Sequence, residues 1–224
     1  MFSAEDYLDL SRTTHAHLFK SGEPVWTALT RIETYLDFRL QSVSRSHNVP
    51  WAYIGENVFI DEGTIVDPNA VIKGPCWIGK DCHIRSGAYV RENTIIGDGC
   101  VVGNSCELKN CILFENCEVP HFNYVGDSIL GHKVPLGARV ILSNVRLDRA
   151  EVTVSAKDKV HRTGLRKFGA VIGDHAEIGC NSVINPGSII GRKSIIYPLT
   201  SFGGVLPANT LLKTRQQQMT VPRT

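Results

Sequence analysis

Residues 72–102 read IKGPCWIGKDCHIRSGAYVRENTIIGDGCVV, and every sixth residue in this stretch is aliphatic. These positions are Ile72, Ile78, Ile84, Val90, Ile96 and Val102. The spacing begins at Ile54, continues to Phe114, and resumes over residues 130–142 and 172–202. Repetition at a short fixed period indicates a solenoid of equivalent turns.

A second position, four residues after each aliphatic one, holds small or β-branched side chains. Its members are Val58, Thr64, Ala70, Cys76, Cys82, Ala88, Thr94, Cys100, Cys106, Ala176, Ser182, Ser188, Ser194 and Thr200. Residues four apart on an extended strand face the same side. The pattern therefore predicts a prism with one six-residue side per repeat, filled by large and small residues. We interpret the four cysteines in this position as buried core residues rather than metal ligands, and we predict no metal site.

The composition limits the classes of function. The chain has 224 residues with 24 Lys and Arg against 22 Asp and Glu, a net charge of +2. Such a balance gives no general attraction to nucleic acid or membranes, so we expect neither as a partner. The N-terminus, MFSAEDYLDL, lacks the cationic start and apolar core of a signal peptide. We expect a cytoplasmic protein whose seven cysteines are reduced.

The repeat resembles the hexapeptide-repeat family, which implies an all-β solenoid, the left-handed parallel β-helix. Three hexads form one coil, so strands one coil apart stack at about 4.8 Å, and the repeats predict about six to seven coils. We divide the chain into an N-terminal helical cap (1–50), the β-helix (51–210, with an excursion or arm at 145–170) and a polar tail (211–224).

Two segments outside the repeat have patterns of their own. Ser3 with Asp6 predicts a capped helix. Pro24 suits the start of a second helix, whose apolar stripe of Val25, Trp26, Leu29, Ile32, Leu36 and Leu40 either packs on the solenoid, which we favour, or binds a partner. Within the arm, residues 151–154 and 159–162 predict a β-hairpin, and part of its basic content is a candidate for anion binding.

Three basic residues follow aliphatic positions one coil apart. Lys73, Arg91 and Lys109 should therefore stack along one outer edge. We call these three residues the basic ladder. Stacked cations repel each other unless something offsets their charge, so the ladder either extends into water or binds a phosphate or carboxylate.

The segment VGNSCELKNCILFENCEVPHFNYVGDSILG, residues 102–131, carries a more specific resemblance. It resembles the acetyltransferase domain of the bacterial bifunctional enzyme that makes UDP-N-acetylglucosamine. It is also similar to the C-terminal domain of archaeal sugar-1-phosphate nucleotidylyltransferases that acetylate amino sugars. The later segment GLRKFGAVIGDHAEIGCNSVINPG is especially similar to the archaeal group. The resemblance covers about residues 54–215.

This resemblance implies a role for each matching residue. His121, in the HFNY motif, matches the catalytic base, Glu107 matches a residue that orients it, and Asn144 matches a residue at the acetyl group. The positions that match sugar-phosphate contacts are Arg91, Lys109, Tyr124 and Lys167. The positions that match coenzyme A contacts are Arg215 and Cys180.

The implied function is acetyl transfer from acetyl-CoA to an amino-sugar 1-phosphate such as glucosamine 1-phosphate, in nucleotide-sugar and cell-envelope precursor synthesis. An imidazole is suited to taking the proton of the attacking amine. The oxyanion needs hydrogen-bond donors, and the sugar phosphate needs fixed cations. Relatives with this fold are trimers with active sites between subunits, so we predict a homotrimer.

Three positions depart from the bacterial pattern: Pro135 replaces an Asn, Arg139 a Gly, and Cys180 a Ser. A Gly-rich basic loop resembling LAAGxGTRM, which begins the nucleotidylyltransferase half, has no match. We therefore expect no nucleotidylyltransferase activity from this chain.

Two alternatives remain. In the first, a non-catalytic β-helix assembles with or regulates a separate nucleotidylyltransferase, which Pro135 and Arg139 favour. In the second, the chain is a γ-class carbonic anhydrase. That enzyme needs three zinc histidines with a close pair five residues apart, a pair that His83, His121, His132 and His175 do not provide.

Overall fold

The computed structural model describes residues 2–41, 43, 49–157, 159–214, 219 and 222. Residues 53–212 form a succession of short strands, which are β1 (Tyr53–Ile54), β2 (Val58–Ile60), β3 (Ile65–Val66), β4 (Val71–Ile72), β5 (Cys76–Ile78), β6 (His83–Ile84), β7 (Tyr89–Val90), β8 (Thr94–Ile96), β9 (Val101–Asn104), β10 (Glu107–Lys109), β11 (Cys111–Leu113), β12 (Glu118–His121), β13 (Tyr124–Gly126), β14 (Ile129–Leu130), β15 (Ile141–Leu142), β16 (Thr153–Ala156), β17 (Lys159–Arg162), β18 (Ala170–Ile172), β19 (Glu177–Ile178), β20 (Val183–Ile184), β21 (Ser188–Ile190), β22 (Ile195–Ile196), β23 (Ser201–Phe202), β24 (Val205–Leu206) and β25 (Leu211–Leu212). Before them lie the helices α1 (Ala4–Tyr7) and α2 (Ile32–Leu40) and the 3₁₀ helices Leu10–Arg12, Ala16–Leu18 and Val25–Arg31.

Except for β16 and β17, these strands form three parallel faces of a β-helix, as the repeat predicts. The first face has the order β1-β4-β7-β10-β13-β15-β20-β23, and the second has the order β2-β5-β8-β11-β14-β18-β21-β24. The third face consists of β12-β9-β6-β3 and β19-β22-β25, and single bridges at Pro135 and Leu136 lie between these two groups. Eight strands on each of two faces exceed the six to seven coils expected from the hexads.

A change in coil length explains why the hexad series predicts too few coils. Stacked strands lie 18 residues apart where Ile78 pairs with Ile96, but 17 apart where Ile96 pairs with Leu113 and Leu108 with Val125. One side of these shorter coils has lost a residue, so the inward position moves forward. The expectation that Phe114 points inward is therefore wrong: Leu113 belongs to the inner core and Phe114 packs outside it.

The second face carries an apolar residue at the outward position of every strand. In stacking order they are Phe59, Trp77, Ile95, Ile112, Ile129, Val171, Ile189 and Val205. The N-terminal segment packs on this row of apolar residues and forms a second apolar cluster with it. We call the second face the covered face. The predicted N-terminal helices are present, but they lie along a side of the prism instead of over its end.

The N-terminal segment follows its sequence signals closely. Ser3 and Asp6 form the predicted capping box, in which the Ser3 amide donates to the Asp6 carboxylate at 3.0 Å. All six residues of the predicted apolar stripe are buried. This burial supports packing on the solenoid over a free partner-binding stripe.

The excursion of residues 145–168 also packs on the covered face. Strands β16 and β17 pair antiparallel, from Thr153 with Arg162 to Ala156 with Lys159, which confirms the hairpin arm. Val152 and Val154 are fully buried within the outer cluster. The arm is therefore docked along one side.

Six of the seven cysteines are buried, and Cys180 is exposed. Cys111 pairs with Thr94 in the same register that pairs Cys76 with Thr94, so it occupies the small inward position. Burial raises the pKa of the Cys76 and Cys111 thiols, the latter to about 12. These thiols are core side chains.

Among the described residues, no helix has the length and apolar character needed to cross a bilayer.

A buried histidine lies where the N-terminal segment meets the covered face. The His15 side chain is 1% exposed, its Nδ1 is 2.9 Å from the Tyr35 hydroxyl, and its ring meets Trp77 edge-on at 5.3 Å. Burial, reinforced by the nearby Arg39 charge, lowers the pKa of His15 to about 4. The neutral ring is thus part of the packing.

This burial makes stability depend on pH in a defined direction. The folded pKa lies below the unfolded value of about 6.5, so the unfolded chain binds the proton more readily and stability falls as pH drops from about 6.5 towards about 4. Between pH 7.5 and pH 5 the loss due to His15 should be about 2 kcal/mol. Urea unfolding of wild type and His15→Gln at both pH values measures it. Equal pH dependence in the two proteins would contradict this account.

Candidate functional site

The predicted site residues lie at two edges of the first face. One edge joins the first face to the covered face and carries Lys109, Asp127 and Asn144; we call it the Asp127 corner. The other edge joins the third face to the first, where β12 ends at His121 and β13 begins at Tyr124; we call it the His121 corner. The two corners lie at opposite ends of the same short strands.

The Asp127 corner is organised by one carboxylate that the sequence reasoning did not select. Asp127 is 4% exposed. Its Oδ1 accepts from Asn110 Nδ2 at 2.9 Å, and its Oδ2 accepts from the Asn144 amide and lies 3.5 Å from Lys109 Nζ. A buried carboxylate is stable only when charged or polar partners replace its water. Here two of those partners, Lys109 and Asn144, are predicted site residues.

The shortened coils build this corner. The step from Leu108 to the next large inward residue, Leu113, is five residues long, and Asn110 and Asp127 turn the chain at this edge with φ of 46° each. Asn and Asp tolerate this left-handed region better than most residues. Gly126 allows the closest approach: a Cβ there would lie 2.7 Å from Asn144 Nδ2. The shorter coil thus brings the side chains of Asn110, Asp127 and Asn144 together.

Tyr124 extends the same network. Its hydroxyl accepts from Asn144 Nδ2 at 3.2 Å. Its pKa is raised, first by burial and then by the nearby Asp127 carboxylate. The phenol therefore stays protonated and can donate its hydroxyl hydrogen to a ligand. Tyr124 begins β13 at the His121 corner, and its side chain reaches Asn144 of the Asp127 corner, so it links the two corners.

The cations of the basic ladder each have a partner within the chain. Arg91 donates to Glu107 Oε1 at 2.9 Å, Lys109 pairs with Asp127, and the Lys73 ammonium lies 5.2 Å from the centroid of the Tyr89 ring. The first two cations are therefore largely neutralised before any ligand arrives. An anion at this edge would have to share these cations with carboxylates.

The His121 corner is open to solvent, and His121 is exposed. Its backbone N–H donates to Asn123 Oδ1 at 3.0 Å, and its carbonyl accepts from the Arg139 amide. The Arg139 guanidinium lies 5.7 Å from the Phe122 ring centroid. No hydrogen bond joins Glu107 to His121 among the described residues. Glu107 contacts Arg91 through Oε1, and its role in orienting His121 stays a prediction.

The other predicted site residues are Cys180, Lys167 and Arg215. Cys180 is exposed and its neighbour Gly179 lines a groove of about 360 Å³ on the third face, together with residues 135–137, 177–178 and 195–198. Pro135, which offers no N–H, is joined to its neighbours by single bridges. Lys167 is exposed at the end of the excursion. Arg215 lies outside the described residues, which contain no group of three or more His, Cys, Asp or Glu side chains able to hold a metal ion.

The network predicts unequal costs for two carboxylate deletions. Asp127→Ala removes the carboxylate that half-buried donors on Lys109, Asn110 and Asn144 contact, and hydrogen bonds to charged groups are worth about 1.5–3 kcal/mol each. Glu107→Ala removes a half-exposed ion pair worth about 0–1 kcal/mol. Urea unfolding should therefore rank Asp127→Ala as the more destabilising by at least about 1 kcal/mol. Equal losses would mean that Asp127 does not organise the corner.

Comparisons with known proteins agree with this architecture. Residues 72–168 match the family model of the GMPPB C-terminal domain. The bifunctional sugar-1-phosphate nucleotidylyltransferase/acetyltransferase of Sulfurisphaera tokodaii is 44% identical over 81 residues, which are 36% of this chain and 20% of that protein. The bifunctional protein GlmU of Methanococcus vannielii is 42% identical over 79 residues, 35% of this chain and 19% of that protein. The match thus spans about a fifth of the length of these relatives.

Solved structures show more distant similarity. The GDP-perosamine N-acetyltransferase of Caulobacter crescentus, solved as a histidine mutant in complex with CoA and GDP-perosamine, is 14% identical with a TM-score of 0.26, over 71% of this chain and 52% of that one. The resemblance inferred from the residues is confirmed by the sequence relatives. The chain is a hexapeptide-repeat β-helix that is similar, over about a third of its length, to the GlmU and sugar-1-phosphate nucleotidylyltransferase/acetyltransferase proteins.

Proposed function

We propose that the chain is an acetyl-CoA-dependent N-acetyltransferase that acts on an amino-sugar 1-phosphate in the cytoplasm. The observation that carries this proposal is His121, an exposed imidazole within residues 72–168, the segment that matches the GMPPB C-terminal domain, in a chain similar over 81 residues to a relative named as an acetyltransferase. It lies on the third face, which also bears the apolar groove of Pro135, Gly137 and Tyr197. A positioned imidazole can take the proton that the attacking amine loses in acyl transfer.

The proposed reaction balances without a metal or a redox partner. The substrate amine attacks the thioester carbon of acetyl-CoA, and the C–S bond breaks as the amide bond forms. His121 takes the proton that the amine loses. The proton then passes to the departing thiolate, which leaves as coenzyme A. Only the neutral imidazole can take the first proton.

The hydrogen bonds at the Asp127 corner refine the role of Asn144. Its amide nitrogen contacts both the Tyr124 hydroxyl and the Asp127 carboxylate, so neither N–H is free for an oxyanion. The carbonyl oxygen Oδ1 remains as an acceptor for a substrate hydroxyl or amine. We therefore assign Asn144 to substrate positioning and leave the oxyanion to backbone N–H groups.

The acetyl-CoA site is proposed along the groove of the third face. Glu118 of the His121 strand bridges to Pro135, which lines the groove, so an acyl chain there would end near His121. Cys180 follows Gly179 at the groove wall. The C-terminal Arg215 is proposed as a contact for the phosphates of coenzyme A, by resemblance alone.

We also propose a homotrimer. The covered face is occupied by the chain itself, whereas Ile65 and Ile195 on the third face and Val183 on the first face remain exposed. If one prism sets its first face against the third face of the next, the same heterologous contact repeats and can close as a ring. Such a ring would set the residues of the first face beside the acyl groove of a neighbour.

The pairing of basic-ladder cations with carboxylates favours a second candidate function. Because Arg91 and Lys109 are already paired with carboxylates, the chain could be a non-catalytic β-helix that assembles with or regulates a separate nucleotidylyltransferase. In that case wild type would release no coenzyme A with any amino-sugar phosphate. The nucleotidylyltransferase reaction itself is not proposed for this chain.

His121→Ala tests the base assignment. General-base catalysis typically contributes about 10²- to 10⁴-fold, so turnover measured by coenzyme A release should fall by that factor while acetyl-CoA affinity changes little. His83→Ala, which removes a histidine of the same face that contacts Asp67 at 3.0 Å, is the matched control and should keep wild-type turnover. Unchanged turnover in His121→Ala would overturn the assignment.

Light scattering tests the assembly. Wild type should have three times the 24.7 kDa chain mass at micromolar concentration. Ile65→Lys places a charge on a bare face and should yield monomers, because an unpaired buried charge is costly. Val160→Lys, at an equally exposed position of the hairpin, should remain trimeric. A monomeric wild type would refute the trimer.

A further inference from the structure

The excursion leaves and re-enters the β-helix at a basic pocket. The chain departs after Asn144 and returns at Phe168, and the Phe168 amide donates to the Asn144 carbonyl at 3.0 Å. We call this point, where the two ends of the excursion meet, the neck. A cavity of about 290 Å³ opens beside the neck, lined by Val145, Arg149, Arg166 and Lys167. We call it the neck pocket. Asn144, which precedes Val145, places it next to the Asp127 corner.

Charge is distributed unevenly around this neck. Arg146 pairs with Asp148 at 2.6 Å and Arg162 with Glu151, so the carboxylates of the excursion face cations outside the pocket. Arg149, Arg166 and Lys167 have no ion pair among the described residues. Three like charges around one cavity repel one another. The free positive charge of the region thus lies in the neck pocket, whereas Arg91 and Lys109 of the basic ladder are neutralised.

We propose that the neck pocket binds a diphosphate group. Two guanidinium forks can each hold two phosphate oxygens, and an ammonium adds a mobile point charge. A diphosphate presents two adjacent phosphoryl groups, so three cations around one cavity can contact oxygens of both groups, which a single phosphate ester does not offer. The pocket walls come from both ends of the excursion, so the docked hairpin fixes their separation.

This inference deepens the proposed function and rests on it. Two molecules of such a reaction would carry the diphosphate: an acceptor amino sugar joined to a nucleoside diphosphate, or coenzyme A itself. The first would place the sugar at Tyr124 and Asn144, and the acceptor would then be nucleotide-linked instead of a free 1-phosphate. The second would run coenzyme A from the neck pocket towards the His121 corner.

Calorimetry with the full-length protein tests the pocket. The probes are inorganic pyrophosphate, uridine diphosphate, coenzyme A and glucosamine 1-phosphate. The double variant Arg149→Gln/Arg166→Gln should weaken pyrophosphate binding by about 100-fold, roughly tenfold for each lost charge-assisted contact. The control Lys157→Gln/Lys159→Gln removes the same charge from exposed positions of the hairpin and should weaken it less than about threefold.

Each outcome decides a specific point. A selective loss for uridine diphosphate assigns the pocket to the acceptor, and a selective loss for coenzyme A assigns it to the acyl donor; both support the proposal. Equal losses in the two double variants, or unchanged pyrophosphate binding, would overturn it. Binding is measured without turnover. A protein that binds pyrophosphate through this pocket but releases no coenzyme A would refute the proposed function and leave the diphosphate site standing.

Discussion

Burial of the covered face is the constraint on which the rest of the molecule depends. A prism of stacked coils satisfies its inner residues by itself, but the outward residues of the second face are apolar on all eight strands. Their exposure would create a continuous apolar strip, which folded proteins rarely leave bare. The chain meets this constraint with its N-terminal segment and the docked hairpin, whose buried residues join one cluster with the strip.

The burial of the covered face limits where an active site can lie. The other two faces stay accessible for assembly and for an acyl groove, and the hairpin must leave and rejoin the coils at a fixed place. That place is the neck beside Asn144 and Asp127. The shortened coils then turn the same edge tightly enough for Asp127 to hold residues from the coils before and after its own.

The sequence predicts the parts of this arrangement that repeat regularly. The inward aliphatic and small positions, the capping box at Ser3 and the hairpin at residues 151–162 all follow from local patterns. The shift from 18 to 17 residues per coil breaks the count, so Phe114 is placed inside in error and the pairing of Asp127 with Lys109 is missed. The residue before the inward aliphatic one does not reveal the outward strip, because it is apolar on the other faces too, as at Ile65, Val71 and Ile141. Which carboxylate neutralises which cation depends on register, which the hexads alone do not give.

Tryptophan accessibility tests the covered face most directly. Trp26 of the N-terminal segment is 2% exposed and Trp77 of the covered face is 7% exposed, whereas the third tryptophan of the chain, Trp51, is 55% exposed. Fluorescence of a Trp51→Phe variant therefore reports only on the covered face. The account predicts a blue-shifted emission that iodide hardly quenches. Emission typical of solvated indole, quenched as readily as free tryptophan, would show that the face is bare and would contradict the account.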